Sequence, residues 1–118
     1  MTTTLGKELR KLRIERDERI LDMAGKIDCS TAFISAVETG RKTPPAGFEE
    51  LIIKAYGLAS QVAGKIRAAA DESRRTFVLE PTSQLGRDTA GLMARKMNSL
   101  SDEQLEKIKD ILRKGHNE

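Results

Sequence analysis

The chain has 118 residues, 33% charged and 38% hydrophobic, with a formal net charge of +3 and an isoelectric point near 9.2. That length supports one domain, or one small domain with an appendage, and the balance suits a soluble, helix-rich protein. Aromatics at 3% leave too few rings for a single-strand stacking platform, one Cys and one His exclude a disulfide framework or an ordinary zinc site, and no apolar run reaches the roughly 18 residues that cross a membrane.

The first predicted helix runs from about Leu5 to Arg16, with Leu5, Leu9, Leu12 and Arg13 on one face. Residues 20–44, "ILDMAGKIDCSTAFISAVETGRKTP", then read as two short helices joined by a tight turn. Leu21, Ala24 and Ile27 share a face of the first of these, and Ile34 and Val37 repeat the spacing in the second. Ala24 is small enough for the two helices to cross closely. Ser30 is placed to cap the second, accepting the amide proton of Ala32 or Phe33. That helix spans about Thr31 to Thr39, and Gly40 provides a left-handed stop. A small helix, exposed on one side and followed by the basic Arg41 and Lys42, has the geometry needed to enter the major groove of DNA. Arg13 on the first helix is directed toward Glu38, where a bidentate ion pair would orient the second helix of the pair. Cys29 between the two helices has two readings, a thiol used as packing and a redox sensor.

Downstream, Phe48, Leu51, Ile52, Ala55 and Tyr56 predict a helix closed by Gly57 and Leu58. Ser60 is placed to cap a further helix to about Ser73, with Val62, Ile66 and Ala69 or Ala70 inward. These complete a five-helix bundle. The run Phe77, Val78 and Leu79 is strand-forming and is stopped by Pro81. A lone strand of this length needs a partner. The same strand of a second molecule, paired about a two-fold axis, would supply one; the alternative is no strand but an extended linker with Phe77 and Leu79 tucked onto the bundle. A helix follows from about Gln84 to Leu100 with Leu85, Leu92, Met93 and Met97 in a stripe, weakened at Gly86 and Gly91. Ser101–Gln104 forms a capping box for a last helix bearing Leu105, Ile108, Ile111 and Leu112 on one face. His116 lies in the tail with no assigned role.

The segments "LGKELRKLR", "DMAGKIDCS", "FISAVETGR" and "TPP" resemble the five-helix DNA-binding domain of the phage repressor–Cro (XRE) family. The resemblance covers about Leu5 to Arg75 and rests on the order of Arg13, Ala24, Ser30, Ile34, Ser35, Glu38, Gly40, Arg41 and Pro44. Two positions depart from the family pattern. Ile20 stands where a phosphate-binding Gln is frequent, and Asp28 stands where the turn usually holds Gly. Asp tolerates the left-handed conformation better than most residues.

The fold class expected is therefore mainly α: a helix-turn-helix domain at residues 1–75, then a short strand and two C-terminal helices at residues 76–118 for dimerisation. Residues 1–75 hold 14 Lys or Arg against 11 Asp or Glu, while residues 76–118 hold 7 against 7, so the basic excess lies on the first part. The resemblance implies base reading by Thr31, Ala32, Ser35 and Ala36, with Thr39 at the helix end. The backbone contacts implied are the amides near Arg19 and Ile20, then Phe33, Arg41 and Lys42. Phe33 has a second reading, as a cap on the core rim. Lys7 and Arg10 are weaker backbone candidates. The expected dimerisation residues are Phe77, Val78, Leu79, Leu92, Met93, Met97, Ile108, Ile111 and Leu112. The partners expected are double-stranded DNA and a second copy of the chain, in the cytoplasm, with no cofactor, metal or membrane. The function expected is a repressor on a two-fold symmetric operator. The alternatives are an antitoxin-type regulator that also binds a protein toxin, and a non-DNA interaction module. An enzyme fits worst, because the sequence offers no nucleophile–base pair and no phosphate-binding Gly loop.

Overall fold

Helix caps and apolar spacing divide the chain into seven α-helices in the computed structural model, which describes residues 1–115; His116 lies outside the described residues. The elements are α1 (Thr4–Glu15), α2 (Ile20–Ile27), α3 (Thr31–Glu38), α4 (Phe48–Tyr56), α5 (Ser60–Glu72), α6 (Gln84–Lys96) and α7 (Asp102–Lys114). They fall into two compact units, Met1–Val78 and Leu79–Glu118.

The helices of the first unit begin and end for local reasons. Thr3 caps α1, its hydroxyl accepting from the Gly6 amide at 3.0 Å. Asp17 then takes φ 55° and turns the chain toward α2. Asp28 ends α2 at φ 55°, ψ 48°, so an Asp does occupy the left-handed position that the turn demands. Ser30 caps α3 by accepting from the Phe33 amide at 3.0 Å. Gly40 supplies the positive φ, 79°, that follows α3. At α5 the cap residue is Ala59, with no side-chain bond, and Ser60 is already the first helical residue. The capping role read for Ser60 therefore falls one residue inside the helix.

The core of this unit is aliphatic: Leu5, Leu9 and Leu12 of α1 meet Ile66, Ala69 and Ala70 of α5, with Met23, Ala24, Ile27, Ile34, Val37, Phe48, Ile52 and Tyr56 completing it. Helix α1 packs on α3 and α5, and α4 packs on α2 and α5. Leu21 is not part of the core; it is 64% exposed. The buried face of α2 is Met23, Ala24 and Ile27, with Ile20 half-buried against them, an i, i+3, i+4, i+7 set that wins over the narrower spacing through Leu21. Leu51, Ala55 and Val62 likewise face outward, leaving α4 and α5 to pack through Phe48, Ile52, Tyr56, Ala63 and Ile66. At the end of the α1–α2 turn, Glu18 accepts from the Tyr56 hydroxyl at 2.7 Å and pairs with Lys26. The Lys26 and Tyr56 bonds hold the Glu18 carboxyl below its ordinary range, while burial and Glu18 push the Tyr56 phenol up.

The strand expected at Phe77–Leu79 is absent. Among the described residues there is no strand at all, and residues 76–82 have no regular structure. Phe77, Val78 and Leu79 are exposed, and Phe77, which belongs to the first unit, is not tucked onto the bundle either. Strand-forming residues cannot build a ladder alone, and every neighbouring element spends its backbone groups inside a helix.

In the second unit, Ser83 caps α6 by accepting from the Gly86 amide at 2.9 Å. The helix gives way at Met97–Ser99 to one 3₁₀ turn rather than continuing to Leu100. The capping box before α7 is formed in full: the Ser101 hydroxyl accepts from the Gln104 amide at 3.1 Å, and the Ser101 amide donates to Gln104 Oε1 at 2.9 Å. No described residue of this unit is buried. Met93, Leu100, Leu105 and Ile108 are half-buried, and Leu85, Leu92, Met97, Ile111 and Leu112 are exposed.

One contact in the first unit admits no side chain. Gly6 is buried where α1 meets the end of α3, and a Cβ added there would overlap the Glu38 carbonyl oxygen and approach Thr2 Cγ2 to 2.7 Å. Gly6→Ala is expected to cost about 2 kcal/mol of stability, despite Ala being the better helix former, because the backbone of α3 must move. Urea unfolding of the full chain measures it, and an unchanged or raised midpoint would refute the close approach.

Candidate nucleic-acid interface

Three residues, Asp28, Cys29 and Ser30, separate α2 from α3. The left-handed Asp28 reverses the chain, and Ser30 starts the new helix at once. Cys29 fills the corner, half-buried and packed against the core, with its thiol directed at the Ile27 carbonyl at 3.5 Å. Packing is therefore the role its surroundings support.

Helix α3 buries Ile34, Val37 and Glu38 and leaves Thr31, Ala32, Ser35 and Ala36 on its outer side, Ala32 exposed and the others half-buried. Phe33 sits on the core rim, its ring edge-on to Phe48 with centroids 6.0 Å apart and planes at 64°. Thr39 has its hydroxyl engaged: it donates to the Ser35 carbonyl at 2.9 Å and accepts from Arg41 Nε at 3.1 Å. That second bond tethers the Arg41 guanidinium beside the end of α3. Arg41 and Lys42 are both exposed, and the Lys42 amide donates to the Ala36 carbonyl at 3.1 Å. At the start of α2 the Arg19 amide donates to the Asp22 carboxylate at 2.8 Å. One helix-terminal donor is thus occupied, by a side chain that brings negative charge to the helix N-terminus.

Glu38 ends α3 and is 2% exposed. Arg13 Nη1 donates to its Oε2 at 2.5 Å and Nη2 to its Oε1 at 3.3 Å, a bidentate pair across α1 and α3. Arg10 adds a third cationic contact at 3.6 Å. The Glu38 carbonyl oxygen accepts from both the amide and the hydroxyl of Thr3, at 2.9 and 3.1 Å.

A second arginine of equal geometric importance is not apparent from the sequence. Arg74 lies just past α5, inside the charge-rich run "DESRR". Its guanidinium donates to both Glu49 oxygens, at 2.9 and 2.7 Å, and to the carbonyls of Pro44 and Pro45, at 3.2 and 2.7 Å. The Arg74 bond is the main cause holding the Glu49 carboxyl below its ordinary range. Glu49 precedes Arg74 by 25 residues, so no helical periodicity connects them.

The residues expected to dimerise lie at the unit boundary and in the second unit. Phe77 and Val78 close the first unit, and Leu79 opens the second. Leu92, Met93 and Ile108 line an apolar pocket with Lys96 and Leu100, between α6 and α7. Met97, Ile111 and Leu112 lie outside it, exposed. Among the described residues no group of three or more His, Cys, Asp or Glu could hold a metal ion, and no helix is long and apolar enough to cross a membrane.

Against known proteins, residues 4–63, from α1 into the start of α5, match a family model described as a helix-turn-helix domain. No curated protein and no solved structure gives a match.

Removing Glu38 strands the Arg13 charge in the core. Glu38→Ala is expected to lower the unfolding free energy by about 3 kcal/mol, and adding Arg13→Leu in the same chain should restore more than half of that. A double-mutant cycle in urea measures the coupling, and strictly additive losses would show that the pair does not couple.

Proposed function

The chain belongs to the helix-turn-helix domain family, and from that premise we propose that it is a sequence-specific transcriptional repressor of the phage repressor–Cro (XRE) type, binding double-stranded DNA with α3 in the major groove. One observation carries the reading. The outer side of α3 is free of long side chains, and the two exposed cations Arg41 and Lys42 follow directly, with Arg41 tethered to Thr39. A slim helix flanked by cations can approach the bases while the cations meet the phosphates.

In this reading Thr31, Ala32, Ser35, Ala36 and Thr39 face the bases. None presents the forked geometry that grips guanine or adenine. Thr and Ser hydroxyls and Ala methyls favour thymine contacts, bridging water and DNA shape. Arg41, Lys42 and the α2 amides after Arg19 bind phosphates, whereas Phe33, held against Phe48, serves the packing of α3. The Arg13–Glu38 pair orients α3. A face this small needs a second copy on an adjacent half-site, and the apolar residues of the second unit are the surface on which two copies join. The family match and the exposed side chains of α6 and α7 support this division between residues 1–75, which bind DNA, and residues 76–118, which dimerise.

Two measurements test it. Arg41→Ala should weaken binding to selected and random duplexes alike and reduce the slope of log affinity against log salt by about 0.9. A wild-type slope would remove Arg41 from the phosphate contacts, and no retention of any duplex at low salt would remove the DNA reading altogether. Sedimentation should give a dimer for the full chain, converted to monomer by Leu92→Asp with Ile108→Asp. A wild-type monomer at tens of micromolar would leave the second unit to a different partner, such as a protein toxin.

A further inference from the structure

We infer that Arg74 is a positioning residue for the DNA-facing loop: one guanidinium clamps residues 41–47 between α4 and the end of α5, so that Arg41 and Lys42 leave α3 on a fixed path. This inference rests on the reading of Arg41 and Lys42 as phosphate contacts.

The loop cannot hold itself. It contains Pro44 and Pro45, which have no amide to donate, so the loop has few donors of its own. The backbone bonds that frame it are Lys42 N–H to the Ala36 carbonyl at 3.1 Å and Phe48 N–H to the Pro45 carbonyl at 3.1 Å. Arg74 supplies a donor to the Pro44 carbonyl and a second one to the Pro45 carbonyl. Its side chain, 9% exposed, bonds the Pro44 and Pro45 carbonyls while its other edge grips Glu49 in the first turn of α4, with Asp71 a further 3.6 Å contact. The loop does lie against this end of α5. A cleft beside it is lined by Lys42 and Thr43 from the loop, by Glu72 at the end of α5 and by its cap residue Ser73. Only a guanidinium has the planar fork to serve a carboxylate on one edge and carbonyls on the other; a lysine ammonium keeps the charge but loses the fork. The neighbouring Arg67–Glu50 pair joins the same two helices but is exposed and touches no loop carbonyl, which makes it the natural control.

The test uses the full chain. Native-state hydrogen exchange needs no DNA: in Arg74→Lys the Phe48 and Lys42 amides should exchange about tenfold faster than in the wild-type chain, while amides inside α3 keep their rates. Equal rates at Phe48 and Lys42 overturn the clamp. With a random-sequence duplex as probe, Arg74→Lys should weaken binding about fivefold and flatten the salt slope by a fraction of one phosphate contact, while Arg67→Gln changes neither. Wild-type affinity and slope in Arg74→Lys overturn the positioning role. A wild-type chain that holds no duplex at low salt overturns the DNA reading, and the exchange result separates that failure from failure of the clamp. If Arg74→Lys does not fold, Glu49→Gln removes one arm and leaves the proline carbonyls bonded. It should show the same shifts at smaller size, and their absence overturns the proposal.

Discussion

The orientation of α3 depends on how its last residue is held. Glu38 is bound at both ends, its carboxylate by Arg13 and Arg10 and its backbone carbonyl by Thr3. Gly6 makes the approach possible by leaving no side chain between α1 and that carbonyl. A buried ion pair is weak evidence for stability, because desolvating two charges offsets their attraction. What it supplies is geometry. A bidentate pair permits one relative placement of α1 and α3, where Leu9, Ile34 and Val37 packing alone would tolerate small slides.

The other end of the surface is fixed by the same chemistry. The Arg74 guanidinium joins α4, the proline loop and the exit of α5. The chain segment that presents Arg41 and Lys42 therefore begins at a residue locked to α1 and returns to a residue locked to α5. Between the locks, the Thr39 hydroxyl passes a hydrogen bond from Arg41 into the α3 backbone. Side-chain freedom that would be lost on binding is partly removed beforehand, which lowers the entropic cost of each contact.

Local chemistry made much of this legible in the sequence. Ser30, Asp28, Gly40 and the Ser101–Gln104 box announce their caps and turns because each acts on backbone groups within four residues. Arg13 and Glu38 could be paired because each has a definite register on a short helix. The misread positions are those where a local rule had a non-local competitor. Leu21 and Met23 are both apolar, and only the packing against α3 and α4 decides which is inside. Phe77, Val78 and Leu79 carry strand propensity, but propensity without a ladder partner yields no strand. Gly6 and Arg74 were invisible for the converse reason: their partners, Glu38 and Glu49, lie tens of residues away, and their own neighbourhoods give no hint of them.

The second unit carries little in its own fold to stabilise it. Its helices are well capped, yet α6 carries Gly86 and Gly91, each costing about 1 kcal/mol relative to Ala, and none of its described residues is buried. A segment of this size without a core gains little from folding alone. In the proposed dimer, the same apolar side chains would complete their burial only when two copies meet, so ordering this unit and pairing the DNA-binding units become one event. Mass action in that proposed dimer would link the two, so that stability and DNA occupancy rise together with concentration. The small outer side of α3 fits that arrangement. A face that reads weakly favours one half-site by little, and two such faces held together discriminate by roughly the product of their preferences.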